Sequence, residues 1–155
     1  TPAGGHGVPI ILGFVWVVDF GLQVGATPDG RKAKEPLAHG LSPQCGAAKD
    51  GITSAIYDAT SLSLTGVPGG ASMMWDLDVN WAGSNVLVPV LETYMDRGGH
   101  IFQGNVVNLN TLEDALEHPD KHEDLIVRVG GYSARFTTLS RETQQEIINR
   151  HKYSA

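Results

Sequence analysis

Two arginines bracket a glycine pair near the end of the chain, in Arg128-Val129-Gly130-Gly131-Tyr132-Ser133-Ala134-Arg135-Phe136. Guanidinium groups on either side of a turn can clamp a carboxylate substrate, although pairing with an Asp or Glu of the same protein is their commoner use. Gly-Gly by itself marks a turn that calls for positive φ. Elsewhere the side chains able to do chemistry are sparse. Asp76 and Asp78 could share metal or acid–base work, or could simply face solvent. His118 and His122 have i, i+4 spacing, but Pro119 interrupts the helix that would align them as ligands. His6, between glycines, reads as a loop residue. Cys45, in Ser42-Pro43-Gln44-Cys45-Gly46, is the single cysteine; it excludes an internal disulfide and reads as a small buried apolar residue.

A glycine turn needs elements on both sides to hold it. Leu125 to Val129 is a short β-branched run, and Ser140 to Lys152 is helix-like, so the stretch reads as strand, turn and helix. His100 to Leu109 reads as a buried strand. Thr111 starts a short helix, capped by Asn110 and ended by Pro119. The strand–helix–loop–strand order over 101–129 is a crossover unit and predicts a parallel pairing. Residues 84–97 predict a helix with Val86, Val90, Leu91 and Tyr94 on its apolar stripe. Ser84 caps it, Gly98-Gly99 ends it, and Pro89 implies a kink or a late start. Ile52 to Ser63 predicts another helix, with Ile56, Ala59 and Leu62 on one face. Met73, Met74 and Trp75 belong to a strand or loop and to the core. Phe14 to Val18 suits a buried strand or helix segment equally. Residues 26–51 read as loop, with Pro28-Asp29-Gly30 as a turn.

The 155 residues, 41% hydrophobic and 18% charged, suffice for one domain with a core. A net charge of -6 argues against a nucleic-acid partner. The longest apolar run, Val8 to Val18, is broken by Pro9 and Gly13, so no membrane partner is expected, and there is no secretory signal pattern. Glycine is abundant without a period. The chain opens at Thr1 in an apolar, glycine-rich run, which suggests a fragment, a processed piece or one subunit of a split enzyme.

Several stretches together resemble the pyruvate formate-lyase-like glycyl radical enzymes. The pattern R-V-x-G-Y-[SA]-x-x-F is followed by L-[ST]-x-x-x-Q-x-x-[IV]-I-x-R, met here by Leu139-Ser140, Gln144, Ile147-Ile148 and Arg150. Upstream, Gly25 to Pro43 resembles the family's G-x-T-P-D-G-R-[RK]-A-x-E-P-x-x-x-G-x-S-P segment. Between them lie Gly98-Gly99, Gln103, Asn105-Val106-Val107 and Leu112-Glu113-Asp114-Ala115. The motifs stand in the family's order and cover about Gly21 to Arg150.

The resemblance implies a stable carbon-centred radical at Gly131, the glycine before the tyrosine. Glycine suits it, because a planar Cα radical shared between two amides would be crowded by a side chain. Arg128, Val129, Gly130, Tyr132 and Ser133 would support the radical loop, and Gln103, Gly104 and Asn105 are candidates to line the substrate barrel. Gly104 departs from relatives that carry a larger residue; it would make room for a bulky substrate, or mark a strand bulge. The implied fold is α/β, the C-terminal part of a ten-stranded α/β barrel. Residues 1–97 would belong to the barrel and 98–155 to the glycyl radical domain. No cofactor or metal would be bound in this chain. The radical would be installed by a separate activating enzyme using S-adenosylmethionine and an iron–sulfur cluster.

In the implied relay, the glycyl radical generates a thiyl radical on a cysteine that attacks a small-molecule substrate. The family's cysteine lies far upstream in a different context from Cys45, so that cysteine is expected outside this chain. The expected partners are therefore the remainder of the enzyme and the activating enzyme, in an oligomer, in the cytoplasm of an anaerobic microbe. The reaction would be C–C, C–O or C–N cleavage of the lyase, dehydratase or decarboxylase type, or formate acetyltransferase chemistry. Ser133-Ala134, where pyruvate formate-lyases carry Ala-Val, leans away from pyruvate. Two alternatives are a stand-alone spare-part glycyl radical protein and a non-catalytic α/β module.

Overall fold

A computed structural model describes residues 2–13, 16–44, 47 and 49–152. Cys45, and Phe14 and Val15 of the first apolar run, lie outside the described residues. The described chain alternates helices and short strands. Strand β1 (Ser72–Met74) pairs in parallel with β2 (Ile101–Gln103), Met73 opposite Phe102. Helices α3 (Val79–Ala82) and α4 (Leu87–Asp96) make the crossover that a parallel pair requires. The ladder continues beyond the strands, with Trp75 N–H donating to Gln103 O at 2.9 Å and Leu77 N–H to Asn105 O at 2.8 Å. A further parallel bridge joins Ile11 to Ala71.

The parallel pairing expected across 101–129 does not form. Strand β3 (Ile126–Arg128) pairs antiparallel with β4 (Ser133–Arg135), Arg128 opposite Ser133, while β2 pairs with β1. A two-glycine connection closes a hairpin at far less entropic cost than a long crossover, so the glycine turn is followed by a strand before any helix begins.

The helices largely follow their apolar periodicity, with shifted ends. Helix α1 (Trp16–Gln23) resolves the ambiguous apolar run and buries Val17 and Val18. Helix α2 (Gly51–Thr60) buries Ile52, Ile56 and Ala59. It stops before Leu62, which is exposed, because the Thr60 and Ser61 hydroxyls turn back onto the Ile56 and Tyr57 carbonyls. Helix α4 starts late, with Pro89 in its first turn where a missing N–H is harmless. Ser84 is not its cap; its hydroxyl donates to Trp81 O and accepts from Val86 N. Helix α5 (Leu109–Glu117) is capped by Asn108, whose Oδ1 accepts from Asn110 N at 2.8 Å, so Asn110 lies inside the helix. Helix α6 (Arg141–Lys152) closes the described chain.

Two apolar clusters form. One packs Ile56, Met73, Trp75, Leu77 and Tyr94 between α2, α4 and the parallel ladder. The other packs Leu112, Val127, Val129, Phe136, Ile147 and Ile148 between α5, the hairpin and α6. The hairpin is thereby fixed from below, and its glycine end stands clear of both clusters.

Candidate functional site

The turn between β3 and β4 is closed by Val129 N–H donating to Tyr132 O at 2.9 Å. Gly131 sits at its third position with φ +81°, a conformation that a side chain disfavours. Val129 and Gly130 are buried, whereas Gly131, Tyr132 and Ser133 are exposed, so the turn projects its tip from this chain.

The preceding strand, β2, supplies a side-chain anchor for Gly131. The Gln103 Oε1 accepts from Gly131 N at 3.1 Å and from Arg128 Nε at 3.0 Å. Arg128 Nη1 also reaches Ser133 Oγ at 3.5 Å. Arg128 is thus engaged with the loop and with Gln103. Arg135 points away to an exposed pairing with Asp124 at 3.6 Å. Of the two bracketing arginines, one belongs to the turn and the other to the surface.

Below the turn lies a buried polar network, most of it unanticipated. Asn105 Oδ1 accepts from Arg128 N, and its Nδ2 donates to Arg128 O at 3.0 Å, so its amide pairs with β3 as a strand would. Asp76 Oδ1 receives Asn105 N and Nδ2, each at 2.9 Å. Asp76 Oδ2 receives Arg150 Nε at 2.7 Å. Arg150 then donates from Nη1 to Val129 O and from Nη2 to Arg128 O, both at 3.0 Å. Behind it, Glu146 lies 3.6 Å from Arg150 and 3.1 Å from His39 Nε2.

Asp76 is 0% exposed and Arg150 6%, which corrects the expectation that Asp76 and Asp78 face solvent together. Asp78 instead caps α3, accepting from Asn80 N. Charges this deep persist only when paired and hydrogen-bonded. Burial raises the Glu146 carboxyl, but the His39 hydrogen bond and the Arg150 charge outweigh it and hold the group below its ordinary range. Burial holds the neighbouring His151 below its ordinary value, against the opposing pull of Asp76.

The remaining candidates divide plainly. Gly104 follows Gln103, but a Cβ there would stand 1.6 Å from the Trp75 carbonyl oxygen. The volume that a side chain would need is filled by the neighbouring strand's backbone, not left open to a ligand. Gln103 and Asn105 direct their amides at the turn. His118 and His122 both bond Asp114, at 2.9 and 2.6 Å, and hold its carboxyl below the ordinary range. Among the described residues no cluster of His, Cys, Asp and Glu could hold a metal, and no helix is long and apolar enough to cross a membrane. His39 and Glu146 carried no sequence signal of their own; Arg150 was visible only as a motif position.

A family model described as Glycine radical matches residues 37–137. The chain is 42% identical over 142 residues to the probable dehydratase YbiW of Escherichia coli K12, covering 88% of this chain and 17% of that protein. It is 35% identical to the PFL-like enzyme TdcE of the same organism, covering 86% of this chain and 19% of that one. Among solved structures, it superposes on the glycerol-bound B12-independent glycerol dehydratase of Clostridium butyricum with a TM-score of 0.91 and 35% identity. That match covers 97% of this chain and 20% of the other. The chain therefore spans about a fifth of the length of these relatives. With the family model spanning residues 37–137 and a solved relative superposing over 97% of it, this chain belongs to the glycyl radical enzyme family.

Proposed function

We propose that this chain is the radical-bearing part of a glycyl radical enzyme and that Gly131 is the residue that stores the unpaired electron. The observation that carries the reading is the placement of Gly131: an exposed glycine at positive φ, on a hairpin whose stem is pinned by buried charges. A tip that must meet first an activating enzyme and then a cysteine has to be accessible and held in register. One hydrogen atom leaves Gly131 Cα to a radical that the activating enzyme makes from S-adenosylmethionine. The resulting Cα radical takes a hydrogen atom from a cysteine thiol in the remainder of the enzyme. Gly131 is restored, a thiyl radical is left to attack substrate, and the hydrogen returns when product forms.

The reaction is of the dehydratase type, acting on a small hydroxylated molecule. Support comes from the 42% identity to a probable dehydratase and the close superposition on a glycerol dehydratase. In this reading the parallel ladder joins the ten-stranded barrel of the assembled enzyme, residues 98–155 make up its radical domain, and the site of action is an anaerobe's cytoplasm. The similarity extends through 97% of the chain, well beyond the hairpin, which disfavours a small spare-part protein.

The test is anaerobic electron paramagnetic resonance on the complete enzyme containing this chain, with activating enzyme and S-adenosylmethionine. A doublet from the remaining α-hydrogen, absent in Gly131→Ala, is expected. Silence in a fully assembled sample removes the reading. Incubation of the activated enzyme with vicinal diols should then give aldehydes and water; inertness toward diols, with formate and an acyl thioester formed from a 2-oxo acid and a thiol, would instead assign the lyase–transferase chemistry.

A further inference from the structure

Gln103 is the residue through which β2 reaches the proposed radical glycine. Its side-chain oxygen meets two N–H donors, Gly131 N at 3.1 Å and Arg128 Nε at 3.0 Å. Donors on both contacts fix the amide's orientation, since only the carbonyl end can accept. The charged Arg128 donor strengthens this and locks the carbonyl in place.

We propose that Gln103 is a positioning residue for radical storage: its carbonyl oxygen holds the Gly131 amide and sets how far that amide shares the unpaired electron. The proposal rests on Gly131 as the radical site. A Cα radical is stabilised by electron donation from the nitrogen on one side and withdrawal by the carbonyl on the other. An acceptor on the N–H makes the nitrogen a better donor. The resting geometry adds a second reason. At φ +81° it is the Cα–C bond, and neither C–H bond, that stands nearly perpendicular to the preceding amide plane. A planar, delocalised radical therefore requires rotation about N–Cα after hydrogen loss. With the Gly131 N–H held by Gln103, that rotation falls on the Tyr132 side of the turn.

The experiment uses the complete activated enzyme with glycine labelled by nitrogen-15. Gln103→Met keeps side-chain length and removes the acceptor; Gln103→Glu keeps an acceptor. In Gln103→Met the nitrogen-15 hyperfine coupling is expected to change and the anaerobic lifetime of the radical to fall, roughly threefold to tenfold for one lost hydrogen bond. Gln103→Glu is expected to retain a long-lived doublet. Should Gln103→Met give no signal, recovery in Gln103→Glu supports the role, and loss in both overturns it. An unchanged coupling and lifetime in Gln103→Met also overturns it. A wild-type doublet lost in Gly131→Ala, alongside an indifferent Gln103→Met, would leave the radical assignment standing and remove only the role of Gln103.

Discussion

Arg150 Nε lies 2.7 Å from Asp76 Oδ2, and the two residues are separated by 74 positions in sequence. One comes from the last helix and the other from just beyond β1, so this contact ties the hairpin's supporting helix to the parallel ladder. The same guanidinium holds the carbonyls of Arg128 and Val129, the last residues before the glycine turn. A single side chain thus joins the frame to the tip.

Removing either partner should not cost the same. Arg150→Met leaves Asp76 and Glu146 buried without their cation and leaves the Val129 carbonyl without its donor. A loss of about 3–5 kcal/mol is expected, as for other broken buried pairs. Asp76→Asn leaves Arg150 with Glu146 at 3.6 Å as a remaining counter-charge, and should cost less. Chemical denaturation of the complete enzyme and both variants measures the order. Equal losses would mean that Glu146 does not compensate.

Gly104 provides a purely steric test. Its missing Cβ would fall 1.6 Å from the Trp75 carbonyl oxygen, and the obstacle is backbone, which cannot swing aside. Gly104→Ala should therefore push β2 from β1 and cost at least about 2–3 kcal/mol. Because Gln103 adjoins it, the anchor on Gly131 should shift as well. A thermal midpoint unchanged from wild type would show that the ladder gives way easily.

Much of this molecule was legible in its sequence, but unevenly. Apolar spacing placed α2 and α4, because each must cover a core with one face, while a cap residue and Pro119 marked α5 and residues 140–152 read as helix-like. The ends slipped wherever a polar side chain made the decision, as at Asn108, Thr60 and Ser84. The β2–β3 pairing was misjudged because strand partners are set by tertiary packing, which periodicity does not encode. Residues 26–51 read as loop, and their composition gave no sign that Arg31 is buried there, bonding the carbonyls of Gly25, Lys32 and Glu35. The hairpin glycine was found through a motif. Beneath it, Arg150 stood in the same motif and Asp76 was singled out, but their meeting with His39 was not legible, since His39, Asp76 and the Glu146–Arg150 turn of α6 lie far apart in sequence and join only in the fold.

Acid should weaken the folded state in two steps. The His151 value is lowered below its ordinary 6.5 by burial, so the unfolded chain takes up that proton more readily than the folded one. The corresponding stability is complete above pH 6.5 and lost as pH falls from there toward the folded value. Glu146 is likewise depressed, from an ordinary 4.5, and its contribution is present above that pH and lost as pH falls through the folded value. Thermal midpoints across pH should thus decline first below 6.5 and again below 4.5. In His151→Gln the first decline should vanish while the second remains. A first decline that survives the substitution would point to another titrating group.

The outer face of α1 should behave differently alone and in company. Trp16 and Phe20 stack with ring centroids 5.8 Å apart, and they are 56% and 51% exposed in this chain. Leu22, on the same helix, shares a groove with Tyr132 at the glycine tip. An aromatic pair left in water gains nothing for this chain's own core. In the complete enzyme, about four-fifths of which lies outside this chain by the measure of its relatives, the same face is proposed to be covered. Replacing Trp16 and Phe20 by serine should then leave the unfolding of this chain by itself nearly unchanged and reduce its aggregation. In the complete enzyme the same pair of changes should lower stability by roughly 3–5 kcal/mol per buried ring. Unfolding curves of the short chain and of the whole enzyme, each with and without the substitutions, separate the two effects. Losses of the same size in both would mean that the rings support this chain's own fold and that the face is not an interface.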